Sequence, residues 1–100
     1  MIVKYSPEFV KSTKKLSGKI LNSVKETIEN VKRAEKVEEI SNCKKLTDYT
    51  SIYRIRIGSL RAFFKLYITI EGNIVKFEYL VPRGEAYKKD IQEKLRTKDK

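Results

Sequence analysis

Histidine and tryptophan are absent from these 100 residues, cysteine occurs once, and there are only two prolines and four glycines. With no His and with Cys43 alone, a zinc site, a His-based acid–base mechanism and an internal disulfide are all excluded. Acids are scarce as well, 13 against 23 Lys+Arg, which leaves a net charge of +10. No apolar run is longer than a few residues, so no transmembrane helix fits. The first residues lack a charged n-region followed by an apolar h-region, so no signal peptide is expected and the expected compartment is the cytoplasm. Any chemistry must therefore run on Lys, Arg, Tyr, Glu or hydroxyl groups. What is present suffices for one core: 40% of the residues are apolar and ten are aromatic. A single domain over residues 1–100 follows, since domains commonly hold roughly 100–150 residues.

The positive charge is unevenly built. Five of the six arginines (Arg54, Arg56, Arg61, Arg83 and Arg96) lie in the second half, whereas the first half relies on Lys. Between Tyr49 and Ile70 there are four cations and no acid. Guanidinium groups present a planar fork suited to phosphate, while surface lysines mainly confer solubility.

Ile2-Val3-Lys4-Tyr5 is a short strand-like run. Ser6-Pro7-Glu8 is a helix start, with Ser as cap, Pro in the first turn and an acid behind it. Phe9, Val10 and Leu16 face one side of that helix until Ser17-Gly18 interrupts it. A longer helix carries Ile20, Leu21, Val24, Ile28 and Val31 at helical spacing. Ala34, Val37 and Ile40 either extend it or form a further short turn. From residue 52 the period becomes two. Tyr53, Ile55 and Ile57 share one face, with Arg54 and Arg56 on the other. Gly58-Ser59 makes a hairpin turn, after which Ala62, Phe64, Leu66, Ile68 and Ile70 continue the apolar face of a second strand. Gly72-Asn73 is read as the next turn, and the strand from Ile74 to Val81 places Val75, Phe77, Tyr79 and Val81 inward. Residues 84–100 form a charged tail or C-terminal helix, with Ile91 and Leu95 at helical spacing.

These elements specify an α+β fold of order β-α-α-β-β-β with a possible C-terminal helix. A small antiparallel sheet carries an N-terminal α-helical hairpin on one face and leaves the other face to solvent. In this register Arg56 opposes Arg61, Arg54 opposes Phe63, Ile70 opposes Val75, and Tyr67 opposes Glu78, the one acid on the open face. Like charges directly across a ladder are unfavourable. An anion, most simply an RNA phosphate, would relieve them, with Phe63 and Tyr67 as stacking surfaces and Lys65 as a further cation. Cys43, Tyr5 and Tyr79 are read as core residues.

Tyr53-Arg54-Ile55-Arg56-Ile57-Gly58, then Arg61, then Pro82-Arg83-Gly84-Glu85-Ala86-Tyr87-Lys88, resembles the RelE/ParE toxin superfamily, and most of all its RelE-type messenger-RNA interferases. Val37-Glu38-Glu39-Ile40 leading to Lys44-Lys45-Leu46 resembles the segment that precedes their sheet. The resemblance implies the toxin of a type II toxin–antitoxin system, a ribosome-dependent endoribonuclease that needs neither metal nor cofactor. In such toxins the messenger's 2′-hydroxyl attacks the adjacent phosphate and leaves a 2′,3′-cyclic phosphate. By position it assigns catalysis to Arg54, Arg56, Arg61, Arg83 and Tyr87. Lys65, Phe63, Tyr67 and Lys88 are expected to bind RNA. The implied partners are a cognate antitoxin, messenger RNA and ribosomal RNA, with no membrane. Two departures stand out. Both strand bases are Arg, whose pKa above ~12 disqualifies them as proton acceptors, leaving Tyr87, Lys65 or water; and Ser59-Leu60 replaces the Asp-Tyr pair common before the arginine. Two other readings stay open: a ParE-like inhibitor of DNA gyrase and a non-catalytic RNA-binding module. In the strand parity given above, Arg83 falls on the helix side of the sheet and reaches the open face only because Pro82 ends the strand.

Overall fold

Ser6, Pro7 and Glu8 open the first helix of the computed structural model, which describes residues 1–100. The Ser6 hydroxyl accepts from the Phe9 N–H at 3.0 Å and donates to the Glu78 carbonyl at 2.6 Å. One buried side chain thus satisfies an otherwise orphaned helical donor and pins the helix to the sheet. Strand β1 (Ile2–Tyr5) leads into α1 (Pro7–Thr13), and α2 follows at Gly18–Arg33. Ala34 turns extended, so Val37 and Ile40 belong to a separate short 3₁₀ turn at Val37–Glu39.

The remaining strands are β2 (Cys43–Lys45), β3 (Ile52–Ile57), β4 (Leu60–Thr69) and β5 (Gly72–Pro82), and α3 (Lys89–Lys98) closes the chain. They form a five-stranded sheet of order β1-β5-β4-β3-β2. The α+β architecture and the helical hairpin on one face agree with the sequence reading, but the sheet is mixed because β1 runs parallel to β5. β2 is an additional strand. Its three residues, two of them lysines, are too short and polar to show a period of two.

The first hairpin has the expected register: Ile57 faces Leu60, Arg56 faces Arg61 and Arg54 faces Phe63. Gly58 supplies φ +55° at the turn, which glycine adopts without a steric cost. The second hairpin does not follow its expected register. Thr69 pairs with Gly72, so Ile70 and Glu71 form the tip; Leu66 instead of Ile70 faces Val75, and Tyr67 faces Ile74 instead of Glu78. Ile68 and Ile70 are consequently exposed instead of lining the core. Their alternation runs on through the reversal, and a period of two by itself cannot locate the turn.

A bulge changes the rest of β5. Phe64 pairs with Phe77 but Phe63 pairs with Tyr79, which leaves Glu78 as an extra residue. An extra residue reverses side-chain parity beyond it. Val75 and Phe77 join Phe64, Ile55 and Phe9 in the core under α1 and α2, and Leu80 rejoins them. Tyr79 and Val81 point to the opposite face, contrary to the sequence reading. That face is not open to solvent either. There Tyr49, Ile52, Phe63, Tyr79, Ala86 and Leu95 make a second core beneath α3. Burying six such side chains stabilises the helix against the sheet by several kcal/mol, at roughly 1.5–3 kcal/mol per large side chain before entropy.

The far end of α3 is tied down by polar contacts. Asp99 accepts from the Thr50 N–H at 2.8 Å and from the N–H and hydroxyl of Ser51 at 2.7 and 2.8 Å. Lys65 Nζ donates to the carbonyls of Lys98 and Lys100 at 2.8 and 2.7 Å, a cation placed on the negative end of the helix. No helix of the chain is long and apolar enough to cross a membrane.

Candidate active site

The β3–β4 pairing fixes three of the arginines. Arg56 lies directly across from Arg61, and Arg54 sits two residues along on the same face. Arg83 arrives from β5. Its N–H donates to the Ser59 carbonyl at 2.8 Å, which brings it against the β3–β4 turn, and the Glu78 bulge puts it on the Arg61 side without any need for the strand to end at Pro82.

Arg61 is the centre of this group. Only 7% of it is exposed, and its guanidinium donates to the carbonyls of Gly58 and Leu60, each at 2.8 Å. Burial pushes its pKa below the ordinary arginine value, and the charges of Arg56, Arg54 and Arg83 push it further the same way. Tyr87 opposes that shift. Three guanidinium groups and one phenol are therefore close enough to act on Arg61. The free protein holds the cluster at an electrostatic cost, which a phosphate would remove and a transition state of higher negative charge would remove more fully.

Tyr87 is exposed, and its ring meets the buried Phe63 edge-on with centroids 6.3 Å apart. It borders a cleft of about 390 Å³ whose lining includes Lys44, Leu46, Thr47, Arg54 and Gln92. Lys44 pairs with Arg54 across β2–β3 and so shares its face. The cleft walls are held by the Tyr49 hydroxyl, which donates to Gln92 Oε1 at 2.7 Å, and by Gln92 Nε2, which donates to the Ala86 carbonyl at 2.9 Å.

No family model matches the chain. It is 27% identical over 88 residues to Toxin RelE3 of Methanocaldococcus jannaschii, an alignment covering 87% of this chain and 96% of that one. The RelE–RelB toxin–antitoxin complex of Methanococcus jannaschii matches in structure with a TM-score of 0.66 and 24% identity, covering 86% of this chain and 96% of the other. A mutant of Escherichia coli toxin RelE in the free state also gives a TM-score of 0.66, at 15% identity, with coverages of 97% and 95%. The chain has the fold of these RelE toxins.

Within this RelE fold the expected site residues divide. Arg54, Arg56, Arg61, Arg83 and Tyr87 come together on one face, and Lys88 follows Tyr87 at the surface, paired with Glu85 at 3.2 Å. Phe63 does not present a stacking surface, because α3 buries it completely. Lys65 is engaged with the end of α3, and its Nζ lies 5.0 Å from the Tyr67 ring centroid. Tyr67 stands six residues from Arg61 along β4, about 20 Å at the rise of an extended strand. Phe63 and Lys65 leave the site because α3 covers the middle of the face, and Tyr67 leaves it by distance. Glu78 is no open-face acid. It is buried, with Lys76 and Lys98 each 3.8 Å away.

The sequence reading missed Lys44, Thr47 and Gln92, whose only signal was basic charge next to Leu46. Tyr79 is a core residue as expected, whereas Tyr5 is partly exposed and stacks on Phe9 at 5.9 Å. Cys43 is partly buried; burial pushes its thiol up to about 11 despite the opposing charge of Arg54, which makes it unreactive at neutral pH.

Proposed function

We propose that the chain is the toxin of a type II toxin–antitoxin system and cleaves messenger RNA on the ribosome in the cytoplasm. The observation that carries this reading is the convergence of Arg54, Arg56 and Arg83 on the buried Arg61, with Tyr87 at its edge. The likeness in sequence and fold to RelE toxins supports it.

In this reading the scissile phosphate lies over Arg61. The neighbouring ribose 2′-hydroxyl attacks phosphorus, the 5′-oxygen leaves, and a 2′,3′-cyclic phosphate remains. Arg54, Arg56 and Arg61 stabilise the charge that builds on the phosphorane, and Arg83 stabilises the leaving oxygen. Electrostatic stabilisation of this kind is commonly the largest catalytic contribution, and no metal is required by it. Lys65 is held by the end of α3; water, directly or through Tyr87, takes the 2′-proton, and the departing 5′-oxygen picks up a proton from water. The partner is a cognate antitoxin, as in the toxin–antitoxin complexes that share the fold.

Primer-extension mapping of cut sites on translating ribosomes tests the reading. Wild type is expected to cut, and Arg83→Ala to lose about 100-fold or more in rate, the typical cost of one transition-state donor. Unchanged cleavage in that variant removes Arg83 from the site. Accumulation of gyrase–DNA cleavage complexes without RNA cuts replaces the proposal with a gyrase-directed one.

A further inference from the structure

We infer that the tip of the β4–β5 hairpin, at the other end of β4 from the arginine cluster, is a contact surface for a second copy of this chain. Four of the seven exposed large apolar side chains gather there: Ile68 and Ile70 at the tip, with Tyr67 and Ile2 beside them. Strand pairing explains the gathering. Tyr67 lies across from Ile74 and Ile74 across from Ile2, so one apolar row crosses three strands. Ile70 stands fully exposed at the reversal itself. Single exposed apolar residues are ordinary, but a contiguous group of them marks an interaction surface.

Beside the tip is a hollow of about 470 Å³, lined in part by Met1, Ile2 and Ala34 and by Lys32 and Arg33 from the end of α2. Knob and hollow thus belong to one surface. In a two-fold dimer each copy places Ile70 in the hollow of the other, the reciprocal arrangement that an isologous contact requires.

Charge selects the occupant. Residues 66–75 hold no Lys or Arg, and their one charged residue, Glu71, makes no ion pair within the chain. A polyanion finds no cation on this tip, and an acidic protein segment is repelled by Glu71. A second copy brings Lys32 and Arg33 to Glu71 and receives the same in return. The charged side chains of the hollow, Lys32, Arg33, Glu35 and Glu71, also balance. Two chains of net charge +10 meet here without the repulsion that their arginine faces would bring. Arg61 precedes Ile70 by nine residues, about 30 Å at the rise of an extended strand, so the arginine face stays uncovered in the dimer.

Sedimentation equilibrium of the full-length protein from roughly 10 μM to 1 mM tests the surface, because so small a contact gives weak association. Wild type is expected to dimerise, and added salt should strengthen the dimer by screening the like net charges. Ile68→Ser combined with Ile70→Ser alters exposed positions only and should weaken it at least ~100-fold, since each copy loses two isoleucines. Glu71→Lys should weaken it about three- to five-fold, and Arg33→Glu in the same chain should restore it. The isoleucine variant should keep the wild-type melting temperature and cut sites. A monomer at every concentration, or a dimer indifferent to the isoleucine substitutions, overturns the surface. Dimers that salt dissociates are bridged by nucleic acid and overturn it as well. A monomer whose isoleucine variant no longer co-purifies with a co-expressed antitoxin gives the tip to that partner instead. A dimer lost with the isoleucines upholds the surface whether or not the chain cuts RNA.

Discussion

Single residues here carry conformations and charges that others could not. Asp48 sits at φ +68° just after Leu46 and Thr47. It turns the chain so that Tyr49 goes inward, 5% exposed, while Thr47 stays at the cleft. A β-branched residue in the left-handed region is strained by roughly 1–2 kcal/mol. Asp48→Val should therefore lower the urea midpoint, whereas Asp48→Gly should leave it near wild type. Arg61 is the stronger case. Its charge is disfavoured by burial first and then by Arg56, Arg54 and Arg83, so an added anion that bridges the group should stabilise the fold. Sulfate is expected to raise the melting temperature of wild type, by the linkage of binding to stability, and to raise that of Arg61→Gln far less; equal increases in differential scanning calorimetry would refute the shared anion site.

At the level of elements, α3 is the piece most open to conditions. Burial of Asp99 opposes its charged form, but hydrogen bonds from Thr50 and Ser51 and the charge of Lys65 prevail, so its carboxyl titrates below the usual range. A depressed folded-state pKa gives stability that is complete above the unfolded value of about 3.9 and disappears as pH falls through the folded value. Amide exchange in α3 should accordingly accelerate below about pH 4, before the β3–β4 amides respond, and Asp99→Asn should show that faster exchange already at pH 7.

The same element explains where sequence reasoning stopped. Alternation in Tyr53–Ile57 and a glycine at position 58 determine the first hairpin, because every residue there obeys one face rule. Ile91 and Leu95 were visible as a helical pair, yet two apolar positions do not announce that they cover Phe63. Nor does a run from Ile74 to Val81 reveal an extra residue at Glu78, since Phe77, Tyr79 and Val81 all satisfy a period of two on paper. The arginines survived this error because cross-strand pairing, not the parity of β5, had already grouped three of them.

For the molecule as a whole, a net charge of +10 would make the proposed association with RNA strongly salt-dependent. Log K should fall linearly with log salt, and Arg83→Ala should reduce the slope by about 0.7, the loss of one phosphate contact on a single strand. A variant slope equal to that of wild type would mean that Arg83 meets no phosphate in the bound state. Charge asymmetry gives the surface its direction too: Arg54, Arg56, Arg61 and Arg83 share the face that carries α3, while the lysines of α1 and α2 belong to the helices on the other side of the sheet.

One of the hydrogen bonds between α1 and β5 bears on both sides. The Glu78 carbonyl that receives the Ser6 hydroxyl belongs to the extra residue in β5, so the grip of the first helix also holds the kink that decides which way Arg83 emerges. Ser6→Ala should cost about 1–3 kcal/mol in global stability, measured by urea unfolding, through the lost cap and the stranded carbonyl. It should in addition loosen Arg83, so that a residue outside the arginine cluster governs how faithfully the charged face is assembled.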